Sequence, residues 1–134
     1  MVPARAAMCV VLAVLALSCG DNDNDVPRDP CDPSLHREAL VACQQAGDQA
    51  ACEAAGGRWE RGGVADNFLC FCPTGQGGCP CTEGSQCLGL CVGPAPTLPQ
   101  CSGVTAGTCQ ASVPTFGCFC SADPDGGFTG LCGD

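Results

Sequence analysis

Of the 16 cysteines in this 134-residue chain, all but Cys9 and Cys19 lie at or beyond residue 31. The 104 positions from there onward therefore carry 14 of them, about 13%, where 8–10% already marks a disulfide scaffold. Little else can build a core. Trp59 stands alone, with five Phe and no Tyr beside it. Cross-links must then replace apolar burial as the main restraint on the unfolded chain. Each typically adds about 2–4 kcal/mol, not additively, so seven would dominate the stability and reduction is expected to unfold the protein. The candidates are Cys31, Cys43, Cys52, Cys70, Cys72, Cys79, Cys81, Cys87, Cys91, Cys101, Cys109, Cys118, Cys120 and Cys132. Fourteen thiols allow more than about 100,000 pairings, so connectivity is not readable here.

Residues 1–18 have the layout of an export signal. Arg5 supplies positive charge, and residues 6–17 form an uncharged, mostly apolar run. That run is shorter than the ~20 residues a membrane-spanning helix needs. Small Ser18 precedes the cut. Leu15-Ala16-Leu17-Ser18-Cys19 resembles the lipobox of bacterial lipoproteins, with Ala16 where the pattern favours Leu. The resemblance implies a diacylglyceryl thioether on Cys19. The competing reading is an ordinary secretory signal cut after Ser18, which leaves Cys19 free. Parity decides between them: Cys9 departs with the signal, a lipid occupies Cys19, and the remaining 14 can pair completely. The expected location is the bacterial cell envelope, with a lipid anchor in a membrane, the outer membrane or cell surface by preference. The absence of Lys, Ile and Tyr, all with AT-rich codons, agrees with a GC-rich bacterial genome.

After the signal, four arginines face 14 acidic residues, a net charge of about −10. That excludes a nucleic-acid partner, which needs clustered Lys and Arg. It also argues against attraction to anionic lipid beyond the anchor.

Residues 19–30 read as a disordered acidic tether. Asp21, Asp23, Asp25, Asp29 and Asp32 match positions 1, 3, 5, 9 and 12 of a calcium loop. Val26 sits where that loop needs Gly, so a solvated spacer is preferred. The fold class expected beyond it is small and disulfide-rich, with short helices near 33–46 and 48–55 followed by short β-hairpins. Asp32 and Asp48 serve as caps, and Leu35, Ala39, Ala42, Cys43 and Ala46 form the buried stripe of the first helix. Strands are expected at 58–60 and 67–72 around Gly62-Gly63. The first and second halves share a Cys-Phe-Cys unit, which points to two diverged cysteine-rich modules, 31–80 and 81–134. In the second, strands around Val104-Thr105, Val113 and Phe116 stand where the first has helices, followed by a hairpin at 123–127. Residues 93–99, with three prolines, form a stiff surface loop.

Three Cys-x-Cys units, Cys70/Cys72, Cys79/Cys81 and Cys118/Cys120, place two thiols on one side of a strand. Such pairs can ligate zinc or copper. An exported chain instead favours disulfides leading to different partners, so no metal or other cofactor is expected. Cys87-x3-Cys91 is likewise read as disulfide. His36, the only histidine, reads as an exposed helix residue facing away from Leu35 and Ala39. Glu53, Glu60 and Glu83 carry no carboxylate-pair spacing, and no catalytic motif is present. The chain is therefore expected not to be an enzyme. Trp59 is assigned to the core, and Leu69 and Phe71 to an exposed contact patch opposite the sulfur side of their strand. The function read from this is a lipid-anchored envelope protein with a binding or structural domain. Its partners would be the membrane, through Cys19, and a protein or envelope polymer. The alternatives are a secreted protease-inhibitor or toxin-like effector, presenting the 93–99 loop, and a metal-binding protein.

Overall fold

The computed structural model describes residues 27–94 and 101–133. The export signal, Cys19, the tether through residue 26 with Asp21, Asp23 and Asp25, and residues 95–99 of the proline-rich loop lie outside the described residues. The described chain is a small disulfide-rich fold of two short helices and antiparallel sheets. Among the described residues no helix is long and apolar enough to cross a membrane.

Asp32 caps the first helical segment by accepting a hydrogen bond from the Ser34 N–H at 2.8 Å, and Pro33 follows it. The segment opens as a single 3-10 turn, Pro33–Leu35, and only after His36 does it become α1, Arg37–Gln44. One helix over 33–46 is therefore two pieces. A 3-10 turn advances by three residues rather than 3.6, so a stripe counted from Leu35 loses phase. Leu35, Ala39 and Ala42 are exposed, and the buried positions are Leu40 and Cys43. Asp48 caps α2, Gln49–Ala54, accepting from the Ala51 N–H at 2.8 Å.

β1 (Arg58–Gly62) and β2 (Asn67–Pro73) form an antiparallel hairpin, and β6 (Ser112–Val113) joins its far edge. A second sheet has the order β3-β5-β4-β7-β8. Its strands are Pro80–Cys81, Gly107–Cys109, Cys91–Val92, Gly117–Ala122 and Phe128–Gly133, in that spatial order. The hairpin at 123–127 joins β7 to β8. Val104, Thr105 and Phe116 lie outside the strands.

Seven bridges join the 14 cysteines: Cys31–Cys79, Cys43–Cys72, Cys52–Cys70, Cys81–Cys91, Cys87–Cys109, Cys101–Cys120 and Cys118–Cys132. Three close before Pro80 and four after it, so none crosses that residue. Backbone pairing does cross it. Cys72 faces Val113 and Pro73 faces Ser112 between β2 and β6. Leu88 and Val113 pack against Leu40, Cys43 and Cys72 in one buried cluster. The second cluster is Cys81, Cys91, Cys109 and Ala122, with Phe128 against it. Cysteines are two of the three buried residues in the first cluster and three of the four in the second.

Gln76, completely buried, ties the two halves together. Its Nε2 donates to the Cys31 carbonyl at 2.6 Å and to the Gln86 carbonyl at 3.1 Å, while its Oε1 accepts from the Leu88 N–H at 2.7 Å. Neighbouring Thr74, also buried, donates its hydroxyl to the Gln110 carbonyl. Among the described residues no buried side-chain nitrogen or oxygen lacks a partner, as buried polar groups require.

Candidate functional site

The outward feature with the most chemistry sits on the β1–β2 hairpin. Antiparallel register sets Arg61 opposite Phe68 and Trp59 opposite Cys70, so all four share one face. Toward the helices that face is covered by sulfur. Cys70 and Cys72 reach back to Cys52 on α2 and Cys43 on α1. The two bridges stack, with Cys43 Sγ 3.5 Å from Cys70 Sγ. They leave no room for a side chain at Gly57, where a Cβ would come within 2.6–2.8 Å of three sulfurs.

Beyond the bridges the face opens. Phe68 is 51% exposed and Trp59 is half-buried; their rings lie 6.5 Å apart with planes 7° from parallel. The Arg61 guanidinium lies 4.7 Å from the Phe68 centroid and is fixed by Asp66, whose carboxylate and carbonyl accept from Nη1 at 2.8 and 2.9 Å. Asp66 holds φ at +49°, the left-handed turn that returns the chain to β2. Trp59, Phe68, Gln44, Ala46, Cys70 and Val113 line a groove of about 410 Å³ beside this ladder.

The assignment of Trp59 to the core is thus corrected: stacked disulfides fill the space beneath it, and the ring is left at the rim. The Leu69 and Phe71 patch is corrected as well. Both are half-buried, and Phe116 from the far half packs edge-on against Phe71 with centroids 6.0 Å apart. The exposed apolar face lies on the sulfur side of the strand.

His36 does not project freely. Its Nε2 lies 2.9 Å from the Pro30 carbonyl, and its ring covers the Cα of Gly75, where φ is +76° and a Cβ would collide with the imidazole. Glu53, Glu60 and Glu83 are each engaged on a different element. Glu53 accepts from Gln49 along α2, Glu60 pairs with Arg58 at 3.5 Å on β1, and Glu83 caps the 3-10 turn Gly84–Gln86. Asp29 and Asp32, the described members of the calcium template, accept from the Cys31 and Ser34 N–H groups. The Asp32 carboxyl is held below the ordinary carboxylate range, first by the Ser34 side chain, then by its N–H, with His36 adding a smaller effect.

Each Cys-x-Cys unit sends its two sulfurs to different partners. Two groups of three sulfurs, Cys43/Cys70/Cys72 and Cys81/Cys87/Cys109, lie within metal-chelating distance. Every one of these sulfurs is bridged, so a metal would have to follow reduction of two disulfides in each group. Gln76, Thr74 and Phe116 were not legible as organising residues. Gln76 lies in a Thr-Gly-Gln-Gly-Gly stretch that reads as plain turn.

The chain matches no protein-family model, no curated protein and no solved structure.

Proposed function

We propose that this chain is a lipid-anchored protein of a bacterial cell envelope whose disulfide-stapled domain binds a protein or an envelope polymer. The observation that carries the reading is complete pairing among the 14 cysteines from Cys31 to Cys132, which leaves none of them as a partner for Cys19. Seven disulfides need an oxidising compartment outside the cytoplasm. The lipobox-like signal supplies the route there and the thioether that consumes the remaining thiol. The role is non-catalytic: the only histidine is held against Pro30 and Gly75, and Glu53 and Glu60 are engaged in local contacts. The Trp59–Phe68–Arg61 face supports the binding half of the reading, since aromatic and Arg side chains dominate recognition surfaces.

The test is a Cys19→Ser variant expressed with radiolabelled fatty acid. Label and membrane association are both expected to vanish. Continued labelling of the variant would refute the anchor. For the binding role, Trp59 is the sole tryptophan and a built-in reporter. Titration with solubilised envelope polysaccharide or with envelope protein extract should shift its emission. Emission unmoved by either at saturation, with both substances confirmed in solution, would remove the aromatic face from the reading.

A further inference from the structure

We propose that the Cys118–Cys132 bridge is a thiol-exchange site: a dithiol opens it in the folded protein while the other six bridges stay closed. Among the described residues it is the only bridge whose two cysteines are both exposed. Four others contain a cysteine with no exposure at all, namely Cys43 and Cys72, Cys52, Cys91, and Cys120. Cys109, in a fifth, is 3% exposed, and both ends of Cys31–Cys79 are half-buried. Exchange needs a thiolate to approach a bridge sulfur along the S–S axis, so access governs the rate. A buried bridge must wait for local unfolding. This one need not.

Its placement in the sheet adds a second reason. Cys118 and Cys132 are directly opposed partners on β7 and β8. Strand register holds their Cα atoms 4.0 Å apart, whereas the other six bridges span 5.4–5.9 Å. The sheet as well as the bridge holds the pair together, so the bridge can open without the strands parting.

Opening does not undo the sheet. β8 pairs with β7 at six positions from Gly117↔Gly133 to Ala122↔Phe128. Thr129 donates to the Asp123 carboxylate at 2.9 Å, and Phe128 packs on the Cys81, Cys91 and Cys109 cluster. The two freed thiols therefore stay side by side on the surface, able to re-close or to hold a partner's sulfur.

The chemistry balances. One thiolate of the dithiol attacks a bridge sulfur, forming a mixed disulfide and releasing the other cysteine as thiolate. The second thiol of the reagent then attacks the mixed disulfide. The dithiol leaves as a cyclic disulfide, oxidised by two electrons, and its two protons end on Cys118 and Cys132.

The experiment uses the full mature protein under native conditions with one equivalent of dithiothreitol. Aliquots are quenched with N-ethylmaleimide and the alkylated cysteines are mapped by peptide mass spectrometry. The first two labels are expected on Cys118 and Cys132, appearing about tenfold faster than on any other cysteine, with an unchanged far-ultraviolet circular dichroism spectrum. Cys31 and Cys79 should follow next. In a Cys118→Ser/Cys132→Ser variant the early pair of labels should disappear. First labels on another bridge, labels spread evenly, or all 14 cysteines reacting together would overturn the proposal. So would a double variant that gains two labels as fast as the parent.

Discussion

β2 and β7 carry the same three residues, Cys70-Phe71-Cys72 and Cys118-Phe119-Cys120, in opposite surroundings. The first strand sends both sulfurs to helices, Cys72 to Cys43 on α1 and Cys70 to Cys52 on α2. The second sends Cys120 back to Cys101, an equivalent of the Cys72 bridge, but turns Cys118 sideways to Cys132 on the adjacent strand. Two helices stacked over a strand bury both of its bridges. A loop on one side and a strand beside it bury only one. The motif dictates that two sulfurs point the same way, and the neighbours decide which of them becomes interior.

The largest test of this comparison is complete reduction. With cysteines making up most of both buried clusters, both halves should lose helix and sheet together in circular dichroism. Retention of the N-terminal helices after full reduction would mean that Leu40 and its apolar neighbours suffice there.

Removing one bridge from each side sharpens the contrast. The sequence separations are 29 for Cys43–Cys72 and 14 for Cys118–Cys132. Chain entropy alone makes the longer loop worth only about 0.6 kcal/mol more. Replacing the first pair by alanine also empties two completely buried sites. Denaturant unfolding should therefore show a loss of about 4 kcal/mol for Cys43→Ala/Cys72→Ala, against about 2 for Cys118→Ala/Cys132→Ala. Equal losses would mean that burial adds nothing to cross-linking.

A smaller effect is expected where the halves meet. Gln76→Ala should cost about 2–3 kcal/mol, since it orphans the Cys31 and Gln86 carbonyls and the Leu88 N–H. The disulfide map should not change. A neutral substitution would show that water replaces the side chain and that β2–β6 pairing alone joins the halves.

The smallest effect is confined to the N-terminal half. The Asp32 carboxyl has its folded pKa lowered below 3.8, so its capping contribution is present above that value and fades as pH falls through the folded one. A carboxyl carbon-13 titration should show Asp32 protonating at lower pH than in an unfolded peptide. An Asp32→Asn variant should lose that part of the acid dependence. A midpoint at or above the peptide's would show that Ser34 does not hold the charged form.

Local rules carried the reading where neighbours in sequence were the cause. Asp32 and Asp48 cap because their side chains reach amides two or three residues on, and the β1–β2 hairpin forms around its glycine turn. The phase of α1 failed because one 3-10 turn, invisible in the apolar pattern, rotated everything after it. Trp59 was misplaced for a longer-range reason. Apolar size normally predicts depth, but here bridging sulfurs had already filled the interior.

Cysteine density and the dearth of other core residues determined, without any coordinates, that this chain is a small disulfide-rich fold. That follows from counting, because a chain with one Trp, five Phe and 14 cysteines from residue 31 onward has few other ways to restrain itself. Tertiary structure alone decided which sulfurs meet, that Gln76 bridges the halves, and that Phe68 rather than Phe71 faces outward. Each of those depends on residues ten or more positions apart arriving together, and a disulfide, a shared hydrogen bond or an aromatic contact leaves no periodic trace in sequence. Burial of a strand face is set by what lands on it, and for β2 that was Phe116 on one side and two stacked bridges on the other.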